Sequence, residues 1–448
     1  MELALKIFQF ILSISILVIL HELGHFLPAK WFKTKVEKFY LFFDPWFSVV
    51  KKKIGETEYG IGWLPFGGYV KIAGMVDESM DTEQLKQPAQ PWEFRAKPAW
   101  QRLIIMMGGV TVNFFLAWII YGCLSFFNGE TTFNTTKVDA PMNYTSVAKA
   151  MGFQDGDKIL KVDGKTQNNL DKLSLDILLS DQVTVLRNGK EVTFPTSDDG
   201  KALAFKDPNP KAFLTPRFPA IVDSIYNPKT IAAGLKVGDK VESVNGKKIT
   251  YYDEFQEAVK TNPGKNIDVE VNRNGSLQPL TLTVSPEGTL GLASYKYLNK
   301  YVETEHFSFG QSIGRGFTRS IESLTYQVKQ FKLIFNRKVQ GYKKVGGPLA
   351  IINNMPVQKS KEGDLSINWT QFWSFTAMFS VWLAFLNLIP IPGLDGGHVI
   401  FTLYEMIVGK PVPQKILENA QMVGVIFLLG LMVLIFGNDI FKIVSNYF

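Results

Sequence analysis

His21-Glu22-Leu23-Gly24-His25 lies at the end of an apolar run from Leu3 to Leu27 whose only other charged residue is Lys6. A bilayer core takes about 20 consecutive apolar residues as a helix, so the run reads as a membrane span with an ionisable cluster inside it. Such groups are costly in hydrocarbon and by default mark function. At i and i+4 two imidazoles lie about 40° apart around a helix, so both reach one tetrahedral ion, and Glu22 sits beside that ion without having to ligate it. The chain holds only four histidines, and three of them fall in two short motifs.

Three more stretches are apolar and uncharged: Leu103 to Phe127, Trp369 to Ile389 and Asn419 to Gly437. Four spans of about 20 residues use less than a quarter of the 448 residues, so the remainder forms soluble mass. With 46% hydrophobic and 20% charged residues the composition is too apolar for disorder and too polar for a chain made only of spans. One cysteine, Cys123 inside the second span, excludes an internal disulfide and a cysteine-built zinc finger. Any metal is therefore held by His, Asp or Glu. The net charge of +7 comes without a long basic run, which argues against nucleic acid as a partner.

Lys30, Lys33, Lys35 and Lys38 follow the first span, and Arg95, Lys97 and Arg102 precede the second. The positive-inside rule puts that loop in the cytoplasm, with both termini and the segment between spans two and three outside. The first run is long and lacks a small-x-small cleavage site, so it is expected to be a retained helix.

The second motif is Asn387-Leu-Ile-Pro390-Ile-Pro392-Gly-Leu-Asp395-Gly-Gly-His398. Its prolines break the end of span three, and irregular backbone at membrane depth is tolerated only where it faces protein or water. Asp395 offers a third, oxygen ligand and leaves the fourth position for water. His398 is read as structural and is not assigned as a ligand.

Between spans two and three, Met151-Gly-Phe-Gln-Asp-Gly-Asp-Lys-Ile-Leu-Lys-Val-Asp-Gly-Lys165 matches Ala233-Gly-Leu-Lys-Val-Gly-Asp-Lys-Val-Glu-Ser-Val-Asn-Gly-Lys247. Gly-Asp before a strand and Asp-Gly or Asn-Gly after it are turn signals around alternating apolar residues. The region resembles tandem PDZ domains, which bind extended peptides, C-termini among them, by adding a strand to a sheet edge. Downstream, Ile313, Phe317, Ile321, Leu324, Val328, Phe331 and Phe335 recur at helical spacing and predict an amphipathic helix in the bilayer interface.

Taken together, the two buried motifs resemble the site-2 protease family of intramembrane zinc metalloproteases, and the tandem PDZ region resembles its bacterial branch. That branch cuts membrane-bound anti-sigma factors after another protease has trimmed them. The resemblance rests on His21, Glu22 and His25, on Asn387, Pro390, Asp395 and Gly396, and on Gly108-Gly109 followed by Asn113. The stretch Tyr59 to Lys71 resembles the family's re-entrant β-hairpin. It implies Zn2+ held by His21, His25 and Asp395, Glu22 as general base, and substrate held by Asn387 and by Trp63, Leu64, Phe66, Gly67, Gly68 and Tyr69. It also implies a zinc metalloendopeptidase of the bacterial inner membrane, acting on trimmed single-pass proteins or signal-peptide remnants, with its active site towards the cytoplasm. The chain departs from the family at Leu41-Phe-Phe-Asp44, where many relatives carry Gly-x-Gly. The competing classes are an inactive PDZ membrane scaffold and a zinc transporter.

The expected architecture is thus a polytopic α-helical membrane protein of four transmembrane helices. Residues 1–128 hold spans one and two with the cytoplasmic loop and re-entrant hairpin, 129–206 and 214–300 the two β-rich PDZ domains, 307–340 the amphipathic helix, and 341–448 the last two spans.

Overall fold

The computed structural model describes residues 1–75, 87–133, 142–166, 169–206, 213–294, 301–344, 346–359 and 364–445. They divide into two compact units, one of Met1–Gly129, His306–Phe331 and Lys344–Phe448, the other of Glu130–Glu305 and Lys332–Lys343.

The first unit is helical. Among the described residues three helices are long and apolar enough to cross a membrane: Glu2–Trp31 (α1), Ala99–Asn128 (α2) and Gln414–Phe441. The second starts behind Pro98 and stops at Gly129, whose φ of 67° suits the residue after a helix end. The third expected span is a 20-residue helix, Trp369–Leu388, started by the Asn368 side chain accepting from the Gln371 amide and stopped before Pro390. The amphipathic stretch forms Phe309–Ile334, shorter than the expected 307–340. In chain order these two are α3 (Phe309–Ile334) and α4 (Trp369–Leu388), followed by α5 (Asp395–Val408) and α6 (Gln414–Ser445).

Several polar residues of helix α4 are buried and used inside the protein, Thr376 and Ser380 among them. Ser13 Oγ lies 3.0 Å from Thr376 Oγ1, and Ser380 Oγ donates to the Asn113 carbonyl at 2.7 Å. Side-chain hydrogen bonds of this kind are worth about 0.5–1.5 kcal/mol each. Close approach of α1 and α2 depends on glycine, since a Cβ on Gly24 would stand 2.4 Å from the Gly108 carbonyl oxygen. Helix α3 lies on α2, with the Trp118 indole donating to the Ile313 carbonyl at 2.7 Å and the Arg319 guanidinium 4.7 Å above the Tyr121 ring. Its Phe309, Ile313, Phe317, Ile321 and Val328 stay exposed.

The first loop carries Val36–Ile54 (β1) and Thr57–Ile72 (β2). The hairpin expected at Tyr59–Lys71 is therefore the second half of a longer one, and it does not pair with itself. Lys38–Leu41 is registered against Glu58–Ile61 on one side and against Lys71–Gly68 on the other, so residues 62–67 carry β2 across from one flank to the other.

The second unit repeats itself in structure as it does in sequence. Lys158–Val162 and Lys240–Val244 occupy the same place in two four-stranded sheets of identical order. The first core gathers Met151, Phe153, Ile177 and Val185, the second Leu235, Val241, Phe255 and Val271. Leu214–Pro216 pairs with Met142–Tyr144 and Leu214 is buried in the first core, so the boundary expected at residue 214 belongs after Pro216. That closing strand is short and ends in proline, so it reads as linker. Val302–Glu305 pairs with Glu130–Phe133, which brings the two ends of the inserted segment together.

The Gly-Asp signal has a structural cause. Asp157 and Asp239, both buried, each cap a turn by accepting from the amide three residues back, and each takes a two-pronged guanidinium contact from Arg187 or Arg273. Burial alone would raise the Asp239 carboxyl; the Arg273 guanidinium and the Lys236 amide overcome this and hold it below its ordinary value. A depressed carboxyl stabilises the fold fully above the unfolded-state value, about 4, and loses that contribution as pH falls through the lower folded-state value. Hydrogen exchange on the full chain should therefore show Asn266–Thr283 losing protection as the pH is lowered below about 4. Asp239→Asn should be less protected already at pH 7 and show little of that acid response.

Candidate metal centre

The α1 cluster and the α5 start meet in the first unit. His21 and His25 are buried one turn apart on α1, and Asp395 is the first residue of α5. Asp395 Oδ2 lies 3.3 Å from His21 Nε2 and 3.2 Å from His25 Nε2, and the two Nε2 atoms are 3.3 Å apart.

The backbone around each group is dictated by tight packing. A Cβ on Gly109 would stand 2.4 Å from His25 Nε2, so only glycine lets α2 back the imidazoles. Pro390 and Pro392 end α4 and turn the chain; Gly393 adopts φ 99°, and a Cβ on Gly396 would meet the Ile389 carbonyl at 2.4 Å. Helix α6 clamps this turn from outside, because Gly393 donates to Gln421 Oε1 at 3.1 Å and Gly424 passes directly over the Pro392 carbonyl. Asp395 thus begins a helix at a fixed point, where the helix dipole favours a negative charge.

Hydrogen bonds set the tautomers. His25 Nδ1 is 2.9 Å from the Ile105 carbonyl, which only accepts, so Nδ1 carries the proton and Nε2 of the neutral ring presents its lone pair. The Asn113 amide is 3.2 Å from His21 Nδ1, and its Oδ1 is buried without a partner. Turning that amide over lets Oδ1 accept the Nδ1 proton and frees His21 Nε2 in the same way.

Three lone-pair atoms then face one another, and Asp395 Oδ2 is buried without any hydrogen-bond donor. A cation resolves this repulsion. A triangle with sides of 3.2–3.3 Å has a centre about 1.9 Å from each corner (side over √3), close to zinc–nitrogen and zinc–oxygen lengths of about 2.0–2.2 Å. The residues fit a zinc ion, and among the described residues this is the one such group of His, Cys, Asp and Glu side chains.

A cleft of about 740 Å³ opens beside the centre and is lined by Glu22, Asn387, Leu64, Gly67, Gly68 and Tyr69 among others. Asn387 Nδ2 reaches to 3.3 Å from His21 Nε2. Glu22 lies beside the Val70 backbone, and Gly68 lets β2 pass α1 there, since a Cβ would stand 2.6 Å from Val18 Cγ1. Trp63 is not brought to the cleft: its indole donates to the Pro45 carbonyl at 2.9 Å and stacks on Trp46 and Phe47. The Phe66 side chain lies outside the described part of the chain. His398 lines the cleft without joining the three-residue group. Sequence reasoning missed Gln421 and Asp44 as residues around the site; Asn113 entered only as part of a motif that carries the resemblance, without a role beside His21.

The profile of peptidase family M50 matches residues 9–431. The chain is similar to the regulator of sigma-E protease RseP of Escherichia coli, at 28% identity over 96% of this chain and 97% of the relative. It is 29% identical, over the same shares, to a Clostridium perfringens protein provisionally named a zinc metalloprotease. The regulator of sigma E protease of Haemophilus influenzae is 25% identical over 97% of this chain and 98% of its own length.

Proposed function

The chain belongs to peptidase family M50, the zinc-dependent site-2 proteases, and on that premise we propose that His21, His25 and Asp395 hold the zinc while Glu22 drives hydrolysis of a membrane-embedded peptide bond. The observation that carries this reading is the triangle of His21 Nε2, His25 Nε2 and Asp395 Oδ2 beside an open cleft.

When bound, the ion would supply Lewis acidity and make a nearby water easier to deprotonate at neutral pH. Glu22 takes a proton from the attacking water and returns it to the leaving amide nitrogen. Asn387 donates its Nδ2 hydrogens towards the substrate carbonyl as negative charge grows on it. A helical substrate hides its carbonyls in its own hydrogen bonds, so the scissile stretch unwinds and lies along Gly67–Tyr69 as an added strand. Gly68 keeps that strand close to Glu22.

In this reading α4 crosses the membrane together with α1, α2 and α6, making four spans. The chain sits in a bacterial inner membrane, with the repeated unit outside and the zinc centre towards the cytoplasm. The two repeats act as PDZ domains, and their partners are the outer parts of single-pass proteins already trimmed by another protease, as with the anti-sigma-type substrates suggested by the sigma-E names of the relatives. The test is to reconstitute the full chain in bilayers with a trimmed single-span substrate and map the products by mass. The reading expects a cut inside or at the edge of the substrate's apolar segment, and cutting confined to a soluble region would contradict it.

A further inference from the structure

The cleft has a third carboxylate that the zinc chemistry does not use. Asp44 lies in a bulge of β1, between the registered pairs Phe43↔Leu64 and Ser48↔Gly62, at the place where the chain departs from the family's Gly-x-Gly. The bulge is held in a costly shape. Phe42 and Trp46 adopt φ of 68° and 74°, a region that bulky side chains avoid and that persists only where the surroundings enforce it.

The Asp44 carboxylate is fixed by two neutral donors: Tyr69 OH to Oδ1 and Ser48 Oγ to Oδ2, both at 2.9 Å. Tyr69 is itself stacked on Tyr40 and on Phe43. The cleft's two lysines are engaged elsewhere, Lys71 Nζ 3.8 Å from Glu37 and Lys38 Nζ over the Tyr40 ring. Among the described residues Asp44 is therefore a cleft carboxylate with hydroxyl partners and no cation. Each oxygen keeps a free lone pair, and a charge-assisted contact to a cation is about twice as strong as one between neutral groups.

We propose that Asp44 is a specificity-determining residue that selects substrates carrying a lysine or arginine side chain on the strand entering the cleft. The inference rests on the protease reading given above. It also suits single-span proteins, whose basic residues cluster at the cytoplasmic ends of their spans.

The test separates the two. Full-length chain carrying Glu22→Gln, loaded with zinc, is titrated in nanodiscs with fluorescent peptides that place Lys, Leu or Glu at successive positions of one apolar segment. At one position the Lys peptide should bind about tenfold more tightly than the Leu peptide, the margin a single charge-assisted contact provides. Adding Asp44→Asn should bring that ratio near one, and Asp44→Lys should shift the preference to the Glu peptide. A uniform loss across all three peptides would make Asp44 only a support for the bulge and overturn the proposal, as would the absence of a discriminating position. Because binding is read without turnover, discrimination by this variant together with a wild-type chain that never cuts the Lys peptide would contradict the protease reading and leave this inference standing.

Discussion

Glu22→Gln is expected to retain zinc at wild-type stoichiometry and to lower the rate of cutting a membrane-spanning substrate by about 10²- to 10⁴-fold, the usual worth of a positioned acid–base group. Glutamine keeps the shape of the side chain but neither takes the proton from water nor returns it to the leaving nitrogen. Zinc should stay because Glu22 is not one of the three groups whose ligand atoms meet within 4.8 Å. The readouts are metal content per chain and single-turnover cleavage in a bilayer. A variant retaining more than a tenth of wild-type activity would remove Glu22 from its role.

Asp395→Ala has a different signature. It deletes the only oxygen among the three ligand atoms and leaves His21 and His25 one turn apart on α1 with nothing opposite. Zinc content after dialysis against a weak chelator should fall below about a tenth of wild type, and cleavage should be lost with it. The two variants thus dissociate chemistry from metal: the first loses activity with the ion in place, the second loses both. Metal retained by Asp395→Ala would mean that the turn after α4 does not complete the site.

The sequence disclosed the site better than the fold that surrounds it. His21, Glu22 and His25 were legible because charge inside an apolar run is expensive, and Asp395 because two prolines at membrane depth need a reason. The repeat was legible at a constant offset because Gly-Asp and Asn-Gly turns tolerate little change. Their cause, the buried Asp157–Arg187 and Asp239–Arg273 pairs, joins residues about 30 positions apart and leaves no local trace.

Other features depend on tertiary packing and could not be read. Residues 59–71 alternate as a hairpin would, yet they pair with Lys38–Leu41 on both its edges, a pairing set by distant residues. The resemblance to the family's hairpin places Trp63 with the cleft residues, but its side chain faces Pro45, Trp46 and Phe47. The third apolar stretch looked like the others, and only the structure shows Thr376 and Ser380 bonded to α1 and α2. The departure at Leu41-Phe-Phe-Asp44 looks like a loss of glycines, yet Phe42 and Trp46 adopt left-handed backbone there despite their aromatic side chains.

Whether one zinc ion is held by the His21 and His25 imidazoles and the Asp395 carboxylate is tested most directly by X-ray absorption at the zinc edge on the full chain. One zinc per chain is expected, with nitrogen and oxygen neighbours at about 2.0–2.1 Å and the scattering pattern of two imidazoles. A protein that binds no zinc, or a shell containing sulfur from Cys123 or a single imidazole, would contradict it.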